Sequence, residues 1–133
     1  EVTVAAGDLV ICEGGEPGRC AVIDETTRGM VYQKALHRVR PLAEVVSQYL
    51  AYLMRHDTYS NRVDRLFTGA TIKHLTGRSL ARHTLPLPPV SEQRRIVSRI
   101  DELMSQCDNL ENRLVSQRCI QGTFAGAAVA GGQ

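Results

Sequence analysis

A sustained heptad pattern in the second half of the chain limits the folds that it can adopt. Its apolar residues recur at spacings of 4, 3, 4, 3 and 4, namely Ile96, Ile100, Leu103, Cys107, Leu110 and Leu114. This spacing puts them on one stripe of an α-helix, as in the seam of a coiled coil. A helix over residues 91–118 would be about 42 Å long, and the 90 residues before it cannot bury the whole stripe. The seam therefore predicts a partner helix, and a helix folded back on its own domain is the alternative.

Three prolines, at positions 86, 88 and 89, separate this helix from the residues before it. Proline has no amide donor and a fixed φ, so the cluster cannot continue a helix or a central strand. Ser91 follows as the predicted N-cap of the long helix. The sequence after residue 121 is rich in alanine and glycine and predicts a flexible tail. We therefore predict a domain over 1–90, a pairing helix over 91–120 and a tail over 121–133.

Short apolar segments in residues 1–90 predict a small mixed β-sheet with a short helix. Two apolar runs, 9–12 and 20–23, flank a glycine-rich loop and predict a β-hairpin. A third strand is predicted over 33–39, and a last strand or extended segment over 83–87. The predicted helical segments are an amphipathic helix over 43–56 and one turn over 76–81 that is capped by Thr76. Together with the long helix, these elements predict an α+β fold.

The sequence contains no pattern that predicts an enzyme or a metal site. GxSxG, P-loop, GxGxxG and HExxH motifs are absent, and the four histidines are scattered. We therefore predict no catalysis, no metal and no other cofactor. The four cysteines predict free thiols in the reducing cytoplasm, and Cys107 on the seam predicts a small buried hydrophobic residue. No apolar run approaches the roughly 20 residues of a membrane span, so we expect no membrane association.

Positive charge is concentrated in residues 55–83. This segment has six basic and two acidic side chains, a net of +4, whereas the whole chain has a net charge of +2. Hydroxyl residues and glycines are interspersed among the cations, and this mixture is typical of loops that bind phosphate. A solvated surface loop is the alternative, which composition alone favours.

Several segments together resemble one protein family. The block LPLPPVSEQRRIV over residues 85–97, with its continuation to about residue 108, closely resembles a junction in the specificity subunits of type I restriction–modification systems. In that family the junction joins a target recognition domain to a conserved spacer helix. Residues 7–20, 32–41 and 68–75 are similar to the hairpin, the next strand and the glycine-containing loop of the family. The resemblance covers about residues 7–115.

The resemblance implies a non-catalytic module that reads one half of a bipartite site in double-stranded DNA. Two such domains are held apart by two antiparallel spacer helices. Methyltransferase subunits that bind S-adenosylmethionine dock on this frame, and restriction subunits join later. The long helix would then pair with a second spacer helix or form a homodimer. A recognition domain of this family is longer than residues 1–90, so we expect a fragment, a remnant or an independently encoded piece whose missing part would precede Glu1.

Under this hypothesis the DNA contacts lie at the hairpin tip and in the basic segment. We expect Gly69 to serve the backbone geometry of its loop, and Thr68 or Thr71 to donate to phosphate. The predicted DNA-binding residues are Arg19, Arg62, Thr68, Gly69, Thr71, Lys73, His74 and Arg78. The predicted helix-partner interface is the seam defined above. The alternative is a structural fragment that self-associates through this helix without recognising DNA.

Overall fold

The computed structural model describes residues 3–69 and 71–130, with side chains as far as residue 118. Within these residues the chain forms one sheet from the strands β1 (Leu9–Cys12), β2 (Cys20–Val22) and β3 (Leu36–Val39). The helices are α1 (Ser47–Tyr59), α2 (Gly77–Leu80) and α3 (Val90–Ala130), and a 3-10 turn covers Asp64–Leu66. The sheet order is β2-β1-β3, and both strand pairs are antiparallel. The predicted α+β class is confirmed.

The core lies between one face of the sheet and α1. Alternation along β1 directs Leu9 and Ile11 to this face, and both side chains are buried. Leu50 and Met54 of α1 belong to the same buried cluster, four residues apart and therefore on one helix face. Cys20, Ala51, Val63 and Leu75 complete the cluster. A single core thus connects the hairpin, α1 and the loops that follow α1.

The turn before β1 is fixed by a buried carboxylate. Asp8 is 1% exposed, and its side chain accepts the Ala5 amide at 2.8 Å. The Arg40 guanidinium, which follows β3, donates to both carboxylate oxygens at 2.7 and 2.8 Å. These hydrogen bonds outweigh the cost of burial and lower the pKa of Asp8 to about 2. The pair therefore closes one end of the β1–β3 ladder through side chains, next to the paired residues Leu9 and Val39.

Two predicted elements have different boundaries in the structure. The third strand was predicted over 33–39 and begins at Leu36, because a turn in which the Leu36 amide donates to the Gln33 carbonyl occupies the first residues. The amphipathic helix was predicted over 43–56 and spans Ser47–Tyr59. Leu42, which fits the helical stripe, precedes the helix and is 80% exposed.

Residues 83–87 are outside the sheet, where Tyr49 Oη donates to the Pro86 carbonyl at 3.0 Å.

Gln93 determines where α1 begins. Its side chain is buried, and its Oε1 accepts the Val46 amide at 2.9 Å. The same amide group donates through Nε2 to the carbonyls of Glu44 and Pro88, at 3.1 and 2.8 Å. Because these bonds hold residues 44–46 in a non-helical conformation, α1 starts only at Ser47. Its N-cap residue Val46 has no side-chain capping bond of its own.

The long helix α3 begins directly after the proline cluster, as predicted, at Val90. Ser91 therefore lies inside the first turn, and its predicted role as N-cap is wrong. The Pro89 carbonyl accepts the amides of Glu92 and Gln93 and so opens the helix. At the other end the helix runs to Ala130, so the tail predicted from residue 121 is helical as far as that residue. Four of the ten residues 121–130 are alanine, the strongest helix former, which favours a helix over the predicted tail. Residues 131–133 lie outside the described residues.

The chain divides into two compact units, residues 1–97 and 98–133. The first unit contains the sheet, the two short helices and the start of α3. The division into recognition domain, pairing helix and tail over 1–90, 91–120 and 121–133 stays a prediction. Of the helices that the structure describes, none combines the length and the apolar character needed to cross a membrane.

Candidate nucleic-acid interface

A tight loop in the basic segment is closed by its own backbone. The amide of Thr68 donates to the His74 carbonyl at 2.9 Å, and the amide of His74 donates to the Thr68 carbonyl at 2.8 Å. Gly69 adopts a φ of +93°, and a Cβ at this position would collide with the carbonyl oxygen of Ile72. Only glycine fits this backbone, which is the geometric role that the sequence predicts for Gly69.

This loop packs against the loop between β1 and β2. The Leu75 amide donates to the Glu13 carbonyl at 2.8 Å. The His74 ring lies so close to Gly14 that a Cβ there would be 3.2 Å from Nδ1. At its other end the β1–β2 loop contacts α1, where a Cβ on Gly18 would be 2.6 Å from Thr58 Oγ1. Residues 13–19, 68–69 and 71–75 therefore form one continuous surface, which we call the loop surface.

The loop surface carries five of the predicted DNA-binding side chains together with Gly69. Thr68, Lys73 and His74 are exposed on the tight loop, and Arg19 is exposed on the β1–β2 loop. Lys73 Nζ lies 5.4 Å from the centre of the Phe67 ring, a cation–π contact that orients the ammonium group. Thr71 is also exposed, and its neighbour at position 70 is outside the described residues. Exposed hydroxyls and cations are thus brought together on these two loops, a mixture typical of loops that bind phosphate.

Arg62 and Arg78 lie on other elements. Arg62 follows α1, and its guanidinium donates to Asp57 at 3.4 Å. Arg78 is exposed on α2, a short helix that Thr76 caps by accepting the Ser79 amide, as predicted. The imidazole of His37 lies beside Gly77 and contacts the Leu75 carbonyl at 2.6 Å through Nε2. The start of α2 is therefore held next to β3 and directly after the loop surface.

A buried Asp57–His83 pair was not predicted from the sequence. His83 Nε2 lies 2.9 Å from Asp57 Oδ2, and the two side chains are 4% and 7% exposed. His56 and Arg62 contact the other carboxylate oxygen. Burial opposes ionisation of Asp57, but these hydrogen bonds outweigh it and lower the pKa of the carboxyl group. The residues are 26 positions apart, so no local sequence pattern reveals the pair.

The Asp57–His83 pair links α1 to the segment that follows α2. His83 Nδ1 is buried and has no hydrogen-bond partner among the residues that the structure describes. Within the described part of the chain, no group of three or more His, Cys, Asp or Glu side chains is placed to hold a metal ion.

The predicted helix-partner seam is partly covered at its start and exposed further along. Ile96 and Ile100 are half-buried. Leu103, Leu110 and Leu114 are 43%, 57% and 56% exposed. Cys107 is a free thiol and is exposed, so the prediction of a buried residue is wrong for this chain taken alone.

Comparison with known proteins identifies the family. Residues 1–117 match the family described as the type I restriction modification DNA specificity domain. The chain is 28% identical over 93 residues to the type I restriction enzyme EcoKI specificity subunit of Escherichia coli K12, covering 70% of this chain and 20% of that protein. It is 30% identical over 98 residues to the StySPI specificity subunit of Salmonella potsdam, covering 70% and 21%.

A solved structure shows the same fold. It is described as the structural basis of complex assembly and conformational transition of the type I R-M system, and it aligns with a TM-score of 0.69 at 24% identity. The alignment covers 83% of this chain and 26% of the other. The chain spans about a fifth of the length of the curated relatives it matches. Because the family match extends over residues 1–117, this chain belongs to the type I restriction modification DNA specificity domains.

Proposed function

We propose that this chain is a non-catalytic DNA recognition module of the cytoplasm that reads one half of a bipartite site in double-stranded DNA. The observation that carries this proposal is the family match over residues 1–117. The loop surface supports it, because it presents Arg19, Lys73 and His74 together with exposed hydroxyl groups. The tight turn of this loop requires glycine at position 69. Cations such as Arg19 and Lys73 bind phosphates, and we expect neighbouring side chains of the same loops to contact base edges.

Charge reversal tests the DNA-binding site. The double variant Lys73→Glu/Arg78→Glu removes two phosphate contacts and introduces repulsion, so we expect affinity for a labelled duplex to fall at least about tenfold at roughly 50 mM salt. The matched control is Arg28→Glu/Arg99→Glu, which changes the net charge equally on two exposed residues elsewhere. Fluorescence anisotropy measures both. Equal affinity for the double variant and the control would contradict the assignment of the site.

A second proposed function is pairing through α3. The exposed seam at Leu103, Leu110 and Leu114 supports it, because a heptad stripe of this kind is stable when a second helix covers it. The occupant that we propose is a second spacer helix, supplied by another copy of this chain or by the same assembly. Methyltransferase subunits would dock on the resulting frame, and restriction subunits would join them. This function is compatible with DNA recognition by the loop surface.

Sedimentation of the chain and of Leu103→Asp tests the pairing. We expect the wild type to sediment as a dimer and the variant to dissociate, with a dissociation constant raised at least about tenfold, because a carboxylate in an apolar seam must be desolvated. Ser105→Asp introduces the same charge on an exposed position two residues away, outside the seam, and should leave the dimer intact. If all three proteins are monomers, pairing through the helix is wrong.

A further inference from the structure

Three of the predicted DNA-binding cations lie within ion-pair distance of a carboxylate. Arg19 Nη1 is 2.9 Å from Glu16 Oε2, and Lys73 Nζ is 3.3 Å from Asp64 Oδ2. Arg62 is 3.4 Å from Asp57, which is buried and also contacts two histidines. Asp57 therefore serves the fold, whereas Glu16 and Asp64 lie at the protein surface beside the cations of the loop surface.

Both surface pairs are open to solvent. The side chains of Arg19 and Glu16 are 73% and 71% exposed, and those of Lys73 and Asp64 are 59% and 43% exposed. Exposed pairs of this kind are weak and exchange partners readily. A phosphate oxygen offers a cation the same charge and the same hydrogen-bond geometry as a carboxylate oxygen. DNA phosphates therefore compete with Glu16 and Asp64 for the same two cations.

Asp64 is not needed to orient Lys73. The Phe67 ring contacts the ammonium group of Lys73 independently, at 5.4 Å from the ring centre. Phe67 lies three residues from Asp64, so the cation keeps a fixed neighbour when the carboxylate is neutralised. The main effect of the carboxylate is then electrostatic, because it repels a phosphate that approaches Lys73.

We propose that Glu16 and Asp64 occupy the cations of the loop surface in the absence of DNA and thereby lower the affinity of the chain for non-cognate DNA. This inference rests on the proposed DNA-binding function. Phosphate contacts supply nearly all of non-specific binding but only part of specific binding. Weaker phosphate contacts therefore lower the affinity for non-cognate DNA by a larger fraction than the affinity for the cognate site. Glu16 and Asp64 thus act as specificity-determining residues.

The test compares two double variants that change the net charge equally. Glu16→Gln/Asp64→Asn frees the two cations of the loop surface. Glu25→Gln/Glu102→Gln removes two exposed carboxylates that pair with Arg28 and Arg99, outside this surface. Binding of a labelled random-sequence duplex is measured by fluorescence anisotropy at about 50 mM salt. We expect affinity to rise about tenfold for the first variant and less than about twofold for the second.

Each outcome decides between the proposals. A first variant that binds no more tightly than the control, while the wild type binds DNA, overturns the inference and leaves the proposed function intact. A first variant that binds more weakly shows that the carboxylates position the cations, which also overturns it. If neither the wild type nor the first variant binds the duplex, the DNA-binding function itself fails, and the inference fails with it.

Discussion

Replacing Gln93 with alanine is expected to lower the free energy of unfolding of residues 1–97 by about 3 kcal/mol. The side chain is 2% exposed, and its amide group makes hydrogen bonds to three backbone groups, on Glu44, Val46 and Pro88. Val46 and Pro88 are half-buried, so water cannot fully replace the lost bonds. The substitution also leaves a cavity between the start of α3 and the start of α1.

Urea unfolding followed by the methyl signal of Met54 measures this effect. Met54 is 1% exposed in the core, whereas Met30 and Met104 are 60% and 52% exposed, so its signal reports on the core. Gln106→Ala is the matched control, since Gln106 is exposed on the same helix and bonds only its neighbour Glu102. We further expect the Val46 amide to exchange faster in Gln93→Ala. If Gln93→Ala unfolds at the same urea concentration as Gln106→Ala, the hydrogen bonds of Gln93 do not stabilise the start of α1.

The Asp8→Asn substitution is expected to destabilise the chain by about 2 kcal/mol near pH 7. Hydrogen bonds from Arg40 and Ala5 lower the pKa of Asp8 to about 2 from its ordinary 3.8. The folded state therefore favours the ionised form. This stabilisation is fully present above about pH 4 and is lost as the pH falls from about 4 to about 2. Asparagine keeps the shape of the side chain but not its charge.

The pH dependence separates this electrostatic effect from a packing defect. We expect the stability difference between wild type and Asp8→Asn to shrink as the pH falls through this range, in urea titrations at several pH values. Asp108→Asn replaces an exposed aspartate of α3 and serves as the control, with no expected change. A difference that stays constant from about pH 7 to about pH 2 would mean that ionisation of Asp8 does not stabilise the fold.

Several parts of the fold that follow from local sequence were predicted correctly. The hairpin needs only two apolar runs and a glycine-rich loop, and β1 and β2 pair as expected. The cap of α2 needs only Thr76, and the start of α3 needs only the prolines before it. Each of these signals lies within a few residues of the element that it determines, so periodicity and turn chemistry are sufficient.

Two predictions failed on local detail, at the N-cap Ser91 and at the start of β3. Other features were missed because distant residues decide the local structure. Gln93 sets the start of α1 through a hydrogen bond to Val46, 47 positions away in the sequence. The helical stripe that begins at Leu42 gives no indication of this bond. The hydrogen bond between Glu13 and Leu75, which joins the two loops of the loop surface, likewise connects residues far apart in the sequence, so no local pattern predicts it. The basic segment predicted the cations of the candidate site. The carboxylate that pairs with Lys73 was not predicted, because Asp64 and Lys73 come together only when the tight loop folds.

The salt dependence of DNA binding tests the central claim most directly. If the loop surface and α2 bind phosphates, the logarithm of the association constant falls linearly with the logarithm of the salt concentration, by about 0.9 for each phosphate contacted. Neutralising Lys73 and Arg78 to glutamine should make that slope shallower by about 2, whereas neutralising Arg28 and Arg99 should leave it unchanged. A wild-type affinity that does not depend on salt, or a slope that the Lys73 and Arg78 variants do not alter, would contradict DNA recognition by this surface.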